Sequence, residues 1–312
     1  MTYRLKDFGS YTAGGRLHRV DAGAPRTIQF TRDASYVYDP RGHFAVEHAY
    51  VQYFVPEPRR PGPPVVLVHG GGMHGSTWET TPDGRPGWLH GLLRAGYEVH
   101  VVDAVERGRA GFLPGLFEGE PIVRSLEEAW NLFRMGPADG FAARRPFPGQ
   151  QFPIHAFDTL GRYQVPRWLG TTPLQAAALN AVLARTGPAL VICHSQGGEI
   201  TFDAQNAAPE RMAGIIAVEP SGFPAALEPL ADVPLVLMYG DYLDTEPRWT
   251  KRRDDWRALV DNLTANGAPA RVLDTAAEVA PGGSHMLMMD AHGDACLAAA
   301  LEAYEALAAH GS

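Results

Sequence analysis

The sequence predicts an α/β fold, with a mostly parallel central sheet, helices on both faces and an inserted cap. Two observations carry that expectation. From about residue 65 onward, short uninterrupted apolar runs alternate with helix-forming stretches, as strands hidden on both faces by crossover helices require. One such run, residues 189–194, stops at Ser195 and passes through Gln196, Gly197 and Gly198 into a helix-forming segment. That order of strand, tight turn and helix lifts a serine hydroxyl out at the end of a buried strand.

The elements follow in order. Residues 16–20, 27–31 and the alternating run 44–55 read as antiparallel strands at one sheet edge, closed by the Pro-rich stretch 56–64. Residues 65–68 form the first buried parallel strand, 88–95 a helix, and 97–102, 190–193, 214–218 and 235–239 further buried strands. Thr172-Pro173 reads as the cap and first-turn proline of a helix, and Gly187-Pro188 as its stop. The interval 104–171 breaks the rhythm. It is rich in Gly, Pro, Phe and Arg, holds one helical piece at 126–135 and exceeds what a crossover needs. It reads as a cap inserted into a single domain spanning 1–312. Such an insertion places Trp130, Phe133, Phe141, Phe147, Phe152, Phe157 and Trp168 either along a substrate wall or in the packing of cap on body. Arg134, Arg144 and Arg145 could meet an acidic substrate, but read first as a solvated loop face.

Composition narrows the classes of partner. A chain of 312 residues with 45% apolar content buries a sizeable core. A net charge of −8 argues against nucleic acid or an anionic membrane as partner, since either would be repelled. Residues 1–8 lack the apolar core of a signal peptide, which makes a cytoplasmic location the expectation. Cys193 and Cys296 lie far apart in apolar surroundings and read as buried thiols, neither a disulfide nor a zinc site. No metal or other cofactor is implied.

A nucleophilic serine needs a base, an acid to orient it and donors for the developing oxyanion. Ser195 has Gly197 two residues after it, and Cys193 two residues before it where the Gly-x-Ser-x-Gly pattern has glycine. The stretch His69-Gly70-Gly71-Gly72 follows a strand and lets backbone N–H groups approach a substrate oxygen. Gly71 and the residue after the nucleophile, Gln196, are the candidate donors. The segment lacks the Lys-Ser/Thr of a phosphate-binding loop, and His69 and His74 lack the spacing of a zinc pair. For the base, His285 follows the flexible Pro281-Gly282-Gly283-Ser284 near the C-terminus. His194 adjoins the serine and points away from it, while His292 and His310 read as surface groups. For the acid, Glu219 competes with Asp241 and Asp244, all at strand ends. The residues favour Glu219, because a glutamate closing an otherwise apolar strand has little structural reason to be there.

These motifs together resemble the α/β-hydrolase fold, in the chain order nucleophile, acid, histidine. More narrowly, five stretches resemble a group of bacterial serine esterases: Val68-His69-Gly70-Gly71-Gly72, residues 77–85, residues 102–109, His194-Ser195-Gln196-Gly197-Gly198 and residues 284–290. The resemblance implies Glu219 as the acid and carboxylic-ester hydrolysis without cofactor, often in a homodimer. It carries no substrate. A lactone, amide or C–C bond hydrolase, or a perhydrolase, would use the same residues, and a catalytically inactive ligand-binding module could keep the same fold.

Overall fold

The computed structural model describes residues 2–310. The described residues form ten strands: β1 (Leu5–Val20), β2 (Arg26–Thr31), β3 (Ala34–Tyr38), β4 (Gly42–Pro56), β5 (Val65–Val68), β6 (Val99–Asp103), β7 (Ala189–His194), β8 (Met212–Val218), β9 (Leu235–Tyr239) and β10 (Ala270–Asp274). Eight of them form one sheet in the order β1-β4-β6-β5-β7-β8-β9-β10. β1 and β4 run antiparallel to each other, and β4 runs antiparallel to β6. From β6 to β10 every pairing is parallel. The chain is an α/β-hydrolase fold.

The α-helices are α1 (Trp88–Arg94), α2 (Leu126–Leu132), α3 (Phe157–Gly161), α4 (Thr172–Thr186), α5 (Gln196–Ala207), α6 (Pro247–Ala265), α7 (Thr275–Glu278) and α8 (Gly293–His310). Alternation along the central strands divides the core between the two faces of the sheet. Val66 and Val68 of β5, with Val191 and Cys193 of β7, pack against Leu179 of α4, Phe202 of α5 and Trp256 of α6. Their neighbours Val65, Leu67, Leu190 and Ile192 pack on the opposite face against Trp88 of α1 and Leu297 and Tyr304 of α8. Because both faces are covered, β5, β7 and β9 carry no polar alternation and are buried throughout.

The structure departs from the sequence reading in four places. Residues 27–31 do not join the sheet edge; β2 pairs with β3, a strand additional to those expected, in a separate two-stranded hairpin. β10 is an addition to the expected strands, and Arg271 and Asp274 interrupt its apolar run. The helix expected over 126–135 ends at Leu132, and Arg134 takes a left-handed φ of 57°. Finally, α4 has Pro173 in its first turn and Gly187 (φ 77°) at its end, but no side chain caps its N-terminus. Thr171 precedes it and donates its hydroxyl to Glu106 Oε1 (2.9 Å) instead. Among the described residues no helix is long and apolar enough to cross a membrane.

Candidate active site

The strand order reverses around β5, whose successor β6 lies on one side while β7 lies on the other. Ligand crevices form outside the carboxyl ends of strands at such a point. Here the segments after β5, β7 and β8 line a cavity of about 200 Å³, together with His285 and with Leu132, Phe133 and Arg167 from the interval before α4.

Ser195 sits between β7 and α5 with φ 50° and ψ −119°. Such a conformation costs a non-glycine residue ~1–3 kcal/mol and persists only where its surroundings fix it. They do so through three backbone bonds: Ser195 N donates to Val218 O (3.0 Å), and Ser195 O accepts from Gly198 N (2.9 Å) and Ser221 N (2.7 Å). The turn has no room for side chains. A Cβ on Gly197 would lie 2.7 Å from His69 O, and one on Gly198 would lie 2.3 Å from Pro220 Cβ. Cys193 is fully buried in β7, where a small thiol fits, and burial pushes its pKa up to about 12, so it stays protonated. Ser195 Oγ lies 3.5 Å from Ser221 Oγ.

His285 faces the same cavity, buried to 1% exposure. Its loop is pinned by Asp290, whose carboxylate accepts from Ser284 N and Ser284 Oγ, both at 2.7 Å. Its ring stacks on Phe133 at 5.5 Å, with Trp249 at 5.2 Å. Nδ1 lies 2.5 Å from Glu219 Oε2, which leaves Nε2 as the free ring nitrogen. Burial, reinforced by the charges of Arg134 and Arg252, lowers the His285 pKa against the opposing pull of Glu219, and the neutral imidazole is favoured.

Glu219 is fully buried and has a φ of 45°. Its carboxylate also accepts from Gly240 N (2.8 Å) and from both terminal nitrogens of Arg134, one of them at 2.8 Å. Burial alone would raise its pKa. The charge of Arg134 and the hydrogen bonds from His285 and Arg134 outweigh that and hold it well below the usual carboxylate range. The two rival acids lie elsewhere. Asp241 accepts from Tyr242 N (2.7 Å) and Gly282 N (3.0 Å), and Asp244 is exposed and pairs with Arg253.

The chain resembles known proteins over most of its length. The profile of the alpha/beta hydrolase family matches residues 65–309. The chain belongs to that family. It is 32% identical over 215 residues to a probable secreted lipase, phiG, of Fungal sp. (strain ATCC 74256); the match covers 66% of this chain and 56% of that protein, so the chain spans just over half the length of this relative. Among solved structures it is similar to a novel bacterial esterase, with a TM-score of 0.86 and 29% identity over 99% of this chain and 98% of that one.

Within this alpha/beta hydrolase, the glycine loop after β5 is built for close approach. A Cβ on Gly71 would lie 2.4 Å from Arg167 Nη1 and 2.9 Å from Gln196 Oε1. Gln196 is the first residue of α5, so its N–H has no carbonyl one turn back to bond. A buried network holds the two segments together. Arg107 donates to Gln196 Oε1 (3.3 Å) and to Glu106 Oε2 (2.6 Å), and Glu106 Oε1 accepts from Thr171 and from Gln175. His69 is part of the scaffold. Its Nδ1 bonds Gly70 O (2.9 Å), its Nε2 accepts from Ala104 N (3.1 Å), and burial lowers its pKa to about 4. No group of three or more His, Cys, Asp or Glu side chains suited to a metal ion occurs among the described residues.

Several assignments from the sequence need correction. Arg134 is not on a solvated face: at 1% exposure it forks onto Glu219, donates to Asp241 O (2.8 Å) and lies 4.6 Å from the Trp249 ring centroid. Nothing in its sequence neighbourhood marks it, because its partner lies 85 residues away. Arg144 is held against the Phe141 ring at 4.2 Å and pairs with Asp158, while Arg145 does lie at the surface with Asp139. His194 is more than a bystander. Its Nε2 donates to His285 O (3.0 Å), bracing the base's own backbone. His292 is not a surface group, since both its ring nitrogens are buried and the chain beside it is tied to Gln151 O through Ala291 N; the side chain of His310 lies outside the described residues. Of the seven aromatic residues nominated for the cavity wall, Phe133 lines it. Trp130, Phe152 and Phe157 are buried in the core instead, Phe141 and Phe147 pack on Phe157 and Tyr242, and Trp168 packs on Phe112 and Phe117.

Proposed function

We propose that this chain is a serine hydrolase that cleaves small carboxylic esters through an acyl-enzyme. Ser195 is the nucleophile, His285 the base, Glu219 the acid that orients it, and the N–H groups of Gly71 and Gln196 are the oxyanion donors. One observation carries the reading: a serine in a strained turn opens onto the same cavity as a neutral histidine whose far nitrogen is fixed by a buried, ionised glutamate. Residues 104–171 serve as the cap that bounds the substrate.

The chemistry follows from those positions. The Ser195 side chain turns from Ser221 toward His285 Nε2, gives up its proton as it attacks the ester carbonyl, and leaves the oxyanion to Gly71 and Gln196. The imidazolium then protonates the departing alcohol, and water repeats the sequence on the acyl-serine to release the acid and restore the enzyme. Glu219 stays ionised throughout, balanced by Arg134. Acyl transfer to water moves no electrons between centres, so no cofactor is required.

The test is intact-mass spectrometry after treatment with a small fluorophosphonate, run beside 4-nitrophenyl esters from acetate to decanoate. The expected result is one adduct on the Ser195 peptide and turnover favouring short acyl chains, in keeping with the small cavity. An enzyme that neither labels nor turns over any ester would overturn the proposal.

A further inference from the structure

The cavity beside Ser195 carries charge of the opposite sign to the chain as a whole. Arg167, Arg252 and Arg124 line it, against one carboxylate, Glu199, in a chain whose net charge is −8. Arg124 is spoken for by Glu128. For Arg167 and Arg252 the described residues provide no carboxylate within ion-pair distance. Arg167 lies against Gly71, and its Nε is buried without a hydrogen-bond partner. Arg252 donates to Ser221 Oγ (3.0 Å), the same hydroxyl that lies 3.5 Å from Ser195 Oγ, and its guanidinium stands over the Trp249 ring at 5.7 Å. Burial lowers the pKa of both arginines, a sign of how far each has been withdrawn from water.

Elsewhere at this site the fold does pair its buried guanidinium groups: Arg134 has Glu219 and Arg107 has Glu106. A partly buried guanidinium with unused donors is costly to leave unpaired and suits a planar anion. Both guanidinium groups open onto the volume a substrate would fill, one beside the glycine loop and the other two hydrogen bonds from the nucleophile. Resting on the serine-hydrolase reading, we propose that the substrate is an ester bearing a carboxylate a few bonds from its scissile carbonyl, and that Arg252 and Arg167 are the specificity-determining residues that bind it. Hydrolysis leaves that group untouched; it supplies orientation and a preference over neutral esters.

Matched pairs of substrates test this, with the carboxylate on either side of the ester. For the alcohol side, 4-acetoxybenzoate is compared with methyl 4-acetoxybenzoate; for the acyl side, monophenyl adipate is compared with its methyl ester. In wild-type enzyme, kcat/KM for the anion should exceed that for the neutral ester by ~10–100-fold in at least one pair, as a charge-assisted contact provides, and the pair that responds identifies the side. In Arg252→Met and Arg167→Met that ratio should fall by ~10-fold or more, with Arg252→Lys recovering part of it, because lysine keeps the charge and loses the fork. Wild-type enzyme that labels with fluorophosphonate and turns over neutral esters at least as well as both anions would overturn this inference alone. The absence of both labelling and turnover would instead overturn the hydrolase reading beneath it. Should either methionine variant fail to fold, the wild-type ratio and the lysine variant still decide the matter.

Discussion

Arg134→Met tests the electrostatic design of the site more sharply than a change to the nucleophile. In the folded protein Glu219 accepts four hydrogen bonds, two from Arg134, one from Gly240 N and one from His285 Nδ1. Methionine fills much of the arginine's volume but removes two of the four donors and the charge that balances a fully buried carboxylate. Removing one partner of a buried pair costs ~3–5 kcal/mol, which lowers the urea midpoint by ~1–2 M. The pH dependence carries the sign. Burial comes first in depressing the His285 pKa, and Arg134 adds to it, so losing the arginine raises that pKa and moves the acid limb of kcat/KM to higher pH. The same shift appears in stability. Burial depresses the His285 pKa in wild type and variant alike, so both lose stability as pH falls below the ordinary histidine range; the variant, its pKa less depressed, loses less, and the deficit against wild type narrows on acidification. Urea unfolding at pH 5.5 and 8 and a pH profile on a neutral ester read both effects. A limb that stays put, together with a deficit under ~1 kcal/mol at both pH values, would refute the claim that Arg134 governs the Glu219–His285 pair.

Further expectations follow from the same geometry. Ser195→Ala should abolish labelling and turnover and leave the thermal midpoint unchanged or raised, since alanine is small enough for the turn; residual turnover at the wild-type rate would remove Ser195 from the mechanism. Glu219→Gln should lower kcat by ~10⁴-fold, by no longer fixing the histidine tautomer, whereas Asp244→Asn, on the surface, should change it less than ~2-fold; the reverse pattern would make Asp244 the acid. Gly71→Ala should lower kcat by ~10²-fold, because the new Cβ meets the Arg167 and Gln196 side-chain ends and, with Gln196 held by Arg107, pushes the loop away from the oxyanion position, an effect absent if the loop plays no part. Burial pushes the Asp290 carboxyl up to about 7. Its contribution to stability is therefore present below its unfolded-state pKa and lost as pH rises through about 7. Asp290→Asn should accordingly lose less stability than wild type between pH 6 and 8, and parallel curves would contradict the assignment.

What the sequence made legible was set by the range of the signal. The buried strands stand out because a strand covered on both faces must be apolar at every position, as β5, β7 and β9 are. Ser195 and its glycines are legible because the crowding that requires them lies within a few residues of the turn. Glu219 is visible as a charge closing an apolar strand, and His285 as a histidine on a glycine-rich loop. Arg134 and His194 had no such signal. The first is recognisable only by the carboxylate it meets, the second only by the carbonyl of His285 that it supports, 91 residues away. Arg134, Arg144 and Arg145 look alike in the sequence, yet the first balances the buried glutamate, the second is packed among aromatic rings and the third is solvated. β10 and β3 were lost for another reason: each is short and lies at an edge or in an isolated hairpin, where apolar patterning is not enforced.

The backbone carries a signal that composition does not. Seven non-glycine residues among those described have positive φ, and four of them, Glu106, Arg134, Ser195 and Glu219, belong to the hydrogen-bonded groups around one cavity. Each of these conformations costs the fold stability and is kept only where its neighbours over-determine it. Two of the four are the ionic pair behind His285, one is the serine in front of it, and the fourth anchors the arginine that reaches Gln196. None is a residue whose side chain eases a left-handed conformation, as asparagine or glycine would. Regular strand geometry at Glu219 would stand its side chain off one face of the sheet; with its left-handed φ at the strand's end the carboxylate instead meets His285, and Arg134, also left-handed, brings its guanidinium to the same carboxylate. The strain at these positions is thus the conformational cost of bringing side chains from separate elements to a common point, which is why it gathers at this cavity.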